Sequence, residues 1–398
     1  MIPQIDQDIG ISVYTTTYPS VNGKIKQNEN DFSVSEVLSE KALSSFDNSE
    51  GHAVYLLTKS GIDTNHALSD IEKRYGVILK SLGLKDANAT TKQYVFTHKK
   101  LKHLEKIEGK KYSAMRVGFT PKPISKKHML GNVFEIMVSE TTTPLPYFSN
   151  NEKVLNFFGY QRFGSRRPIT HLVGKSIIQG NYDDTLDFLL NFSSKYDSEK
   201  NNELRKLISE RKSESEVIEL LPFSMDIERN LLKQLDTDKD PKNAIRSIPL
   251  KLRRFYVQAY QSFLFNKTIS LAYEYEEELF SPTIDDVCFD KNFELGKHQN
   301  DPSQKLAIPL VGHSYYKKSR FDYYIKKILE DESLSPKDFF INDFQELSLD
   351  GGFRNASIDI QDFSIQQNLV KFQLSRGSYA TIVLRELLKP ENPLECGF

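Results

Sequence analysis

The first part of the chain has a pattern of apolar and polar positions typical of half-buried strands. Phe32 and Val34 fall on one side of an extended segment, and Ser33 and Ser35 fall on the other side. This two-residue period predicts a strand with one face packed on a core. Residues 52–59, HAVYLLTK, predict a second strand.

A helix is predicted directly after the second strand. Asp63 and Thr64 can cap its first turn, and apolar residues then recur at helical spacing until Gly76. These residues are Ala67, Leu68, Ile71 and Tyr75. Further strands, rich in aromatic or β-branched residues, are predicted at residues 93–99, 113–119 and 132–139.

The middle of the chain changes to successive amphipathic helices, which run from Asp183 to about Leu279. After an irregular stretch, extended segments return at residues 358–360 and 369–374, and a last helix ends before Pro390. These patterns predict an α+β protein with an inserted domain. The expected boundaries are residues 1–180 and 346–398 for the strand-rich domain and 181–345 for the mainly helical insertion.

Composition is that of a globular protein of more than one domain. The 398 residues correspond to two or three domains at about 150 residues each. No apolar run approaches the ~18 residues that a membrane span needs, and no membrane partner is expected. The start, MIPQIDQDIG, lacks the basic and apolar segments of a secretory signal, so a cytoplasmic location is expected.

Charge is unevenly distributed, although the formal net charge is only −1. Residues 85–127 contain 12 Lys or Arg and 3 Asp or Glu, a balance of +9. Residues 271–301 contain 9 acidic and 2 basic residues, a balance of −7. Taken alone, each charged segment is explained by a solvated surface. The basic segment could also bind the phosphates of a nucleic acid.

Three other kinds of site are not supported. Cys288 and Cys396 are far apart and outside any CxxC motif, and the histidines are scattered, so no structural metal is expected. Residues 174–176, Gly-Lys-Ser, end like a phosphate-binding loop, but the first glycine of that motif would fall at Ile169. No cofactor is expected.

Three segments combine glycine, charge and polar groups in a way that a plain core element does not: residues 83–93, 156–164 and 376–381. In the first, Asp86 follows a glycine turn and Lys85, and in isolation a turn-capping aspartate is the more ordinary explanation. The second interleaves aromatic rings with Asn156 and Arg162. Aromatic faces and cations can hold an unstacked base and its phosphates, and packing at a helix end is the alternative.

Four motifs resemble those of the TruD pseudouridine synthases, in that family's order. GLKDANATTKQ (83–93) resembles G-x-K-D-x-x-A-x-T-x-Q, and NFFGYQRFG (156–164) resembles N-x-F-G-x-Q-R-F-G. DFSVSE (31–36) resembles D-F-x-V-x-E, and RGSYATIVLREL (376–387) resembles the C-terminal G-S-[YF]-A-T-x-x-x-R-E. RPITHLVGK (167–175) is more similar to the archaeal and eukaryotic branch than to the bacterial one.

The resemblance implies a V-shaped molecule whose catalytic domain, with a mixed and largely antiparallel sheet, carries an inserted TRUD domain. RNA is expected in the cleft between the two. The implied activity is the isomerisation of uridine, at position 13 of tRNA, to pseudouridine. A monomer acting on tRNA is expected, with other structured RNA as a further substrate and no DNA.

The resemblance also assigns roles to individual residues. The implied catalytic residues are Asp86, Lys26, Asn156 and Phe158. The implied substrate-binding residues are Phe32, Lys85, Gln93, Gln161, Arg162, Arg166 and Arg167. Asp86 is the implied nucleophile on a flipped-out base, and Lys26 is expected to keep it ionised. Whether the carboxylate attacks the base or the sugar stays open.

Two departures from the family pattern affect local geometry. Glu29 stands where the family has the proline of P-E-D-F, and Leu155 replaces the proline before N-x-F-G.

A catalytically silent RNA-binding or RNA-folding protein with the same basic cleft is the alternative function. Release of tritium from labelled uracil separates the two, because a binding protein would retain the label.

Overall fold

The structure is a computed structural model. It describes residues 1–47, 50–85, 87, 89–97, 103–149, 152–211, 213–315 and 319–398. The helices are α1 Gln4–Asp8, α2 Glu40–Ser44, α3 Thr64–Tyr75, α4 Thr170–Gln179, α5 Tyr182–Leu190, α6 Glu199–Ser209, α7 Glu214–Ile218, α8 Asp226–Asp238, α9 Pro241–Ser247, α10 Leu250–Glu274, α11 Asp322–Asp331 and α12 Ala380–Leu388.

Strands occupy the first 155 residues and part of the last third of the chain. They are β1 Phe32–Leu38, β2 His52–Lys59, β3 Leu79–Ser81, β4 Thr90–Thr97, β5 Lys106–Gly109, β6 Tyr112–Thr120, β7 Met129–Met137, β8 Lys153–Leu155, β9 Val287–Phe289, β10 Leu295–Lys297, β11 Lys305–Leu310, β12 Gly352–Asn355, β13 Ser357–Asp359, β14 Gln361–Gln366 and β15 Leu369–Ser375.

The chain divides into two compact units. The helical unit comprises Met1–Thr15, Leu155–Ser357 and Glu391–Glu395. The sheet unit comprises Thr16–Val154, Ile358–Pro390 and Cys396–Phe398. The assignment of a catalytic domain at 1–180 and 346–398 and an insertion at 181–345 stays a prediction.

The sheet unit is built on one mixed sheet. Its strand order, within the described residues, is β14-β15-β7-β1-β4-β2-β6-β5, and β3 pairs with β4 beside this path. β1 and β4 are parallel, whereas the other pairs in the sheet are antiparallel. This arrangement confirms the predicted α+β class with a largely antiparallel sheet.

Local sequence signals account for the first elements of this unit. In β1, buried and half-buried positions alternate, with Phe32 and Val34 on the buried face as predicted. Helix α3 begins after Asp63, whose carboxylate accepts from two backbone amides, and ends at Gly76, which has a φ of 67°. Ala67 and Ile71 of α3 pack on the face of the sheet that holds Tyr55 and Leu57.

The helical unit is organised around α10, which has 25 residues and buries side chains on several faces. Helix α4 crosses it closely at Gly174, where a Cβ atom would lie 2.1 Å from the carbonyl oxygen of Tyr256. Only glycine permits that approach. A four-stranded sheet, β10-β9-β11-β12, completes this unit. None of the helices in the described part of the chain combines the length and apolar character needed to cross a membrane.

Candidate active site

The predicted nucleophile, Asp86, lies outside the described residues, but the chain on both sides of it is described. Gly83, Lys85 and Ala87 belong to the connection between β3 and β4. The Lys85 amide donates to the Thr64 hydroxyl at 2.9 Å, and the Gly61 amide donates to the Ala87 carbonyl at 3.1 Å. The chain is therefore hydrogen bonded both immediately before and immediately after position 86.

Gln93 supports the same turn from beneath. Its side chain is buried, and its Nε2 donates to the Gly83 carbonyl at 3.2 Å. Its Oε1 accepts from the Thr64 hydroxyl at 2.8 Å, so Thr64 links Gln93 to Lys85. The predicted substrate-binding role of Gln93 stays a prediction, and the bonds described for it are directed to the turn.

Lys85 forms an ion pair with Glu36, the last residue of the DFSVSE motif. Lys85 Nζ lies 3.2 Å from Glu36 Oε1, and the two side chains are 11% and 0% exposed. The other carboxylate oxygen accepts from the Tyr94 amide at 2.9 Å. Burial raises the pKa of the Glu36 carboxyl, and the Lys85 ammonium opposes this rise. The lysine that precedes position 86 in the chain is thus anchored by a buried acid.

A second lysine at this turn, Lys59, was missed by the reasoning from motifs. It is 1% exposed, and its Nζ donates to the carbonyls of Ile62 at 2.9 Å and Lys85 at 3.2 Å. A sequence signal for it existed: in β2, Lys59 follows Tyr55 and Leu57 at the two-residue period of the buried face. A charged residue at a core position of a strand requires a polar partner.

The structure brings Lys26 and Phe32 together in the sheet unit. Lys26 Nζ lies 4.8 Å from the centroid of the Phe32 ring, within the range of a cation–π contact. Phe32 is buried and packs edge-on against Phe134 at 6.2 Å between ring centroids. Lys26 adopts a positive φ of 56°, which is uncommon outside glycine and orients the chain just before β1.

In the helical unit, Asn156 is buried and both ends of its amide are hydrogen bonded. Its Nδ2 donates to the Asn355 carbonyl at 2.9 Å, and its Oδ1 accepts from Arg354 Nη2 at 2.6 Å. Arg354 Nε also donates to the Asn156 carbonyl at 3.0 Å. The fork of one arginine therefore sets the orientation of this asparagine.

Phe158 lies under the same arginine. The Arg354 guanidinium carbon is 3.9 Å from the centroid of the Phe158 ring, and Phe265 packs against that ring edge-on at 5.5 Å. The Phe158 amide donates to Asn266 Oδ1 at 2.8 Å. Arg354 was not predicted, because it lies almost 200 residues along the chain from the N-x-F-G motif and in no recognised motif of its own.

The predicted substrate-binding residues after Phe158 differ in how exposed their side chains are. Arg162 is half-buried, its Nε donates to the Ser262 hydroxyl at 3.0 Å, and its guanidinium lies 5.0 Å from the Phe255 ring centroid. Gln161 beside it is also half-buried. Arg166 is exposed, as a phosphate contact would require.

Arg167 is held inside the helical unit. Its guanidinium donates to the carbonyls of Phe188 and Leu189, the latter at 3.0 Å, and pairs with Glu228 at 3.3 Å. Burial, with the nearby Arg205, lowers the pKa of Arg167 to about 10. The predicted contact with substrate stays a prediction for both arginines, but their surroundings differ.

The Gly-Lys-Ser segment has a structural explanation. Gly174 allows α4 to approach α10, as described above. Lys175 pairs with Glu332 at 2.7 Å, and the Ser176 hydroxyl donates to the Val173 carbonyl at 2.9 Å. These residues lie within a helix instead of a phosphate-binding loop.

Comparisons with known proteins agree with the motifs. A family model described as tRNA pseudouridine synthase D (TruD) matches residues 8–387. The probable tRNA pseudouridine synthase D of Pyrobaculum neutrophilum is 30% identical, and the alignment covers 100% of this chain and 99% of the relative. That of Saccharolobus solfataricus is 31% identical over 85% of this chain and 84% of the relative.

A solved structure from Methanosarcina mazei, described as an inferred tRNA pseudouridine synthase D (TruD), has a TM-score of 0.75 and 25% identity. It covers 99% of each chain. These relatives are archaeal, which agrees with the branch predicted from residues 167–175. The family resemblance stated from four motifs is confirmed. Because the family model spans nearly the whole chain, this protein belongs to the TruD family of tRNA pseudouridine synthases, which are isomerases.

Proposed function

We propose that this chain isomerises uridine at position 13 of tRNA to pseudouridine, with Asp86 as the nucleophilic carboxylate. The observation that carries the proposal is the G-x-K-D turn, whose residues Lys85 and Ala87 are hydrogen bonded to Thr64 and Gly61 on either side of Asp86. A nucleophile must be held in one geometry relative to the reacting atom, and such bonds restrict the backbone that presents it.

The reaction rearranges one nucleoside without a net change in atoms. The bond from ring nitrogen N1 to the sugar C1′ breaks, the base turns, and a bond from ring carbon C5 to C1′ forms. The proton on C5 leaves, and N1 gains a proton. A carboxylate that adds either to the ring or to C1′ divides this change into easier steps, and both routes fit Asp86.

The other predicted residues are proposed to serve binding and orientation. Lys26 and Lys85 supply positive charge near the nucleophile, which favours its ionised form. Phe32 and Phe158 provide aromatic surface for the flipped base, and Asn156 fixes local geometry or contacts the ribose. The remaining proposed contacts to the RNA are made by Gln93, Gln161, Arg162, Arg166 and Arg167.

Tritium release from tRNA labelled at C5 of uracil tests this function. The enzyme is expected to release label into water in proportion to the pseudouridine formed, because C5 loses its hydrogen when it bonds to the sugar. Retention of all label with unchanged tRNA binding would instead support a catalytically silent RNA-binding protein. Mapping pseudouridines in RNA from cells with and without the gene would then identify the target position.

We also propose that the protein acts in the cytoplasm, as a monomer, on tRNA and without a DNA or membrane partner. The charge pattern of the sequence supports an RNA ligand, because residues 85–127 concentrate its basic residues. Light scattering of the purified protein with and without tRNA measures the number of copies per complex. A stable dimer in both conditions would overturn the monomer.

Removing the exposed Arg166 is expected to weaken tRNA binding and reduce its salt dependence. The slope of log affinity against log salt falls by about one when the protein neutralises one phosphate fewer. Arg166→Ala should show this decrease, whereas Arg166→Lys, which keeps the charge, should retain most of the slope. Arg167 is left unchanged because its guanidinium bonds the helical unit internally. Equal slopes for Arg166→Ala and the unmodified protein would place the RNA away from Arg166.

Arg354→Met, which removes the guanidinium, is expected to lower kcat by about tenfold, because Asn156 and Phe158 lose the group that orients them. Arg354→Lys should recover little, since an ammonium lacks the rigid planar fork of N–H donors that a guanidinium presents. Circular dichroism verifies that both variants fold, and single-turnover rates measure the effect. A Lys variant as active as the unmodified protein would show that charge alone is sufficient.

A further inference from the structure

Lys59 is a buried cation at the turn that contains Asp86, and none of the roles above involves it. It is 1% exposed, and in the sheet it stands opposite Thr91 of β4 and Tyr112 of β6. An ammonium at such a position is stable only where hydrogen bonds and a nearby anion replace its water. The position of Lys59 therefore implies a specific electrostatic environment.

The two carbonyls that accept from Lys59 locate this environment. One belongs to Ile62, in the loop before α3, at 2.9 Å. The other belongs to Lys85, at 3.2 Å, and it is part of the peptide bond that joins Lys85 to Asp86. The Thr64 amide, at 3.4 Å, shares this second carbonyl. Lys59 is thus bonded to the peptide unit that carries the acid.

We propose that Lys59 is a positioning residue for the nucleophile: its ammonium holds the Lys85–Asp86 peptide and supplies positive charge that keeps the acid ionised. The inference rests on the proposed function of Asp86. A nearby cation favours the ionised form of a carboxyl group, and only the ionised form is nucleophilic.

Several titratable groups on the elements around β2 have partners of their own. Burial, with a hydrogen bond to Asp70, raises the pKa of Tyr112. The hydrogen bonds to neighbouring groups are Ser60 to Glu29, the Tyr94 amide to Glu36, the His66 amide to Asp63, Tyr112 to Asp70, and Lys111 to the Gly61 carbonyl. Substitutions at position 59 leave these groups in place. A difference between variants in the pH profile of kcat therefore reports on Lys59.

Three substitutions separate charge from hydrogen bonding at this position. Lys59→Met removes both, Lys59→Gln keeps a donor without the charge, and Lys59→Arg keeps the charge. The first two are expected to lower kcat at least about tenfold and to move the acid limb of the kcat profile to higher pH. KM for tRNA should stay within about threefold, because the buried ammonium does not reach RNA. Lys59→Arg should restore part of kcat and the original acid limb.

Lys389→Met is the matched control. Lys389 also donates to two backbone carbonyls in the sheet unit, those of Thr16 at 2.7 Å and Tyr18 at 2.5 Å. If loss of a lysine bonded to backbone acted through stability alone, Lys389→Met and Lys59→Met would have similar effects. The control is expected to shift thermal unfolding while leaving kcat and its pH profile unchanged.

Each outcome decides the inference. A folded Lys59→Gln with normal kcat would overturn it, because hydrogen bonding alone would then be sufficient. Failure of both Lys59→Met and Lys59→Gln to fold would also overturn it, since Lys59 would then be a purely structural residue. The proposed function is judged separately, and it fails if the unmodified protein releases no tritium. If the protein is active but substitutions at Lys59 change neither kcat nor its pH profile, only this inference is refuted.

Discussion

Asp86→Ala is expected to reduce the rate of pseudouridine formation by at least about 10³-fold, because the variant has no group to form the covalent intermediate. The affinity for tRNA should stay within about threefold, since most binding free energy comes from phosphate contacts and base stacking. Single-turnover tritium release measures the rate, and filter binding measures the affinity.

Two further variants make this test specific. Asp86→Asn keeps the shape of the side chain without its charge, and it should be as inactive as Asp86→Ala. Glu108→Ala removes an acid of the same unit whose side chain is 63% exposed, and it should retain full activity. Turnover by Asp86→Ala close to that of the unmodified protein would remove Asp86 from the mechanism.

Acidification is expected to destabilise the helical unit through His171. This side chain is 3% exposed, and burial lowers its pKa to about 4. Its ring stacks on Phe263 at 5.0 Å, and its Nδ1 has no hydrogen-bond partner among the described residues. The unfolded chain takes up a proton at this histidine near pH 6.5, whereas the folded chain does so only near pH 4.

The sign of the effect follows from this difference. The folded-state pKa lies below the unfolded one, so stability is complete above pH 6.5 and is lost as pH falls towards 4. The loss attributable to His171 is about 2 kcal/mol between pH 7 and pH 5 and about 3 kcal/mol by pH 4. Urea unfolding followed by circular dichroism measures it, since the chain has no Trp for fluorescence.

The control for His171 compares how strongly the free energy of unfolding depends on pH in two proteins. His171→Gln cannot titrate, so its free energy of unfolding should depend less on pH between 7 and 5, whatever its value at pH 7. Parallel pH profiles for His171→Gln and the unmodified protein would contradict the assignment of the effect to His171.

The internal bonds at the turn show that one motif residue can hold another in place. Gln93 and Glu36 both fall in family motifs, yet the bonds described for them support Gly83 and Lys85. A motif records which residues a geometry needs. It does not distinguish a residue that contacts the RNA from one that holds the contacting residue.

The local elements and the family could be predicted from the amino-acid sequence. The alternation of Phe32 and Val34 predicted β1, and Asp63 with Gly76 predicted the limits of α3, because strand period and helix capping depend on residues close together in the chain. The strand and helix patterns predicted the α+β class, and the four motifs predicted the TruD family.

The groups that meet across long separations in the chain could be identified only in the folded protein. Glu36 pairs with Lys85, Lys59 bonds the Lys85 carbonyl, and Arg354 bonds Asn156 from 198 residues away along the chain. Likewise, Arg167 donates to a backbone carbonyl inside the helical unit and the adjacent Arg166 is exposed, a difference that their positions in the sequence do not reveal. Partners of this kind are selected by packing and burial, because a buried charge must find its counterpart wherever the fold places one.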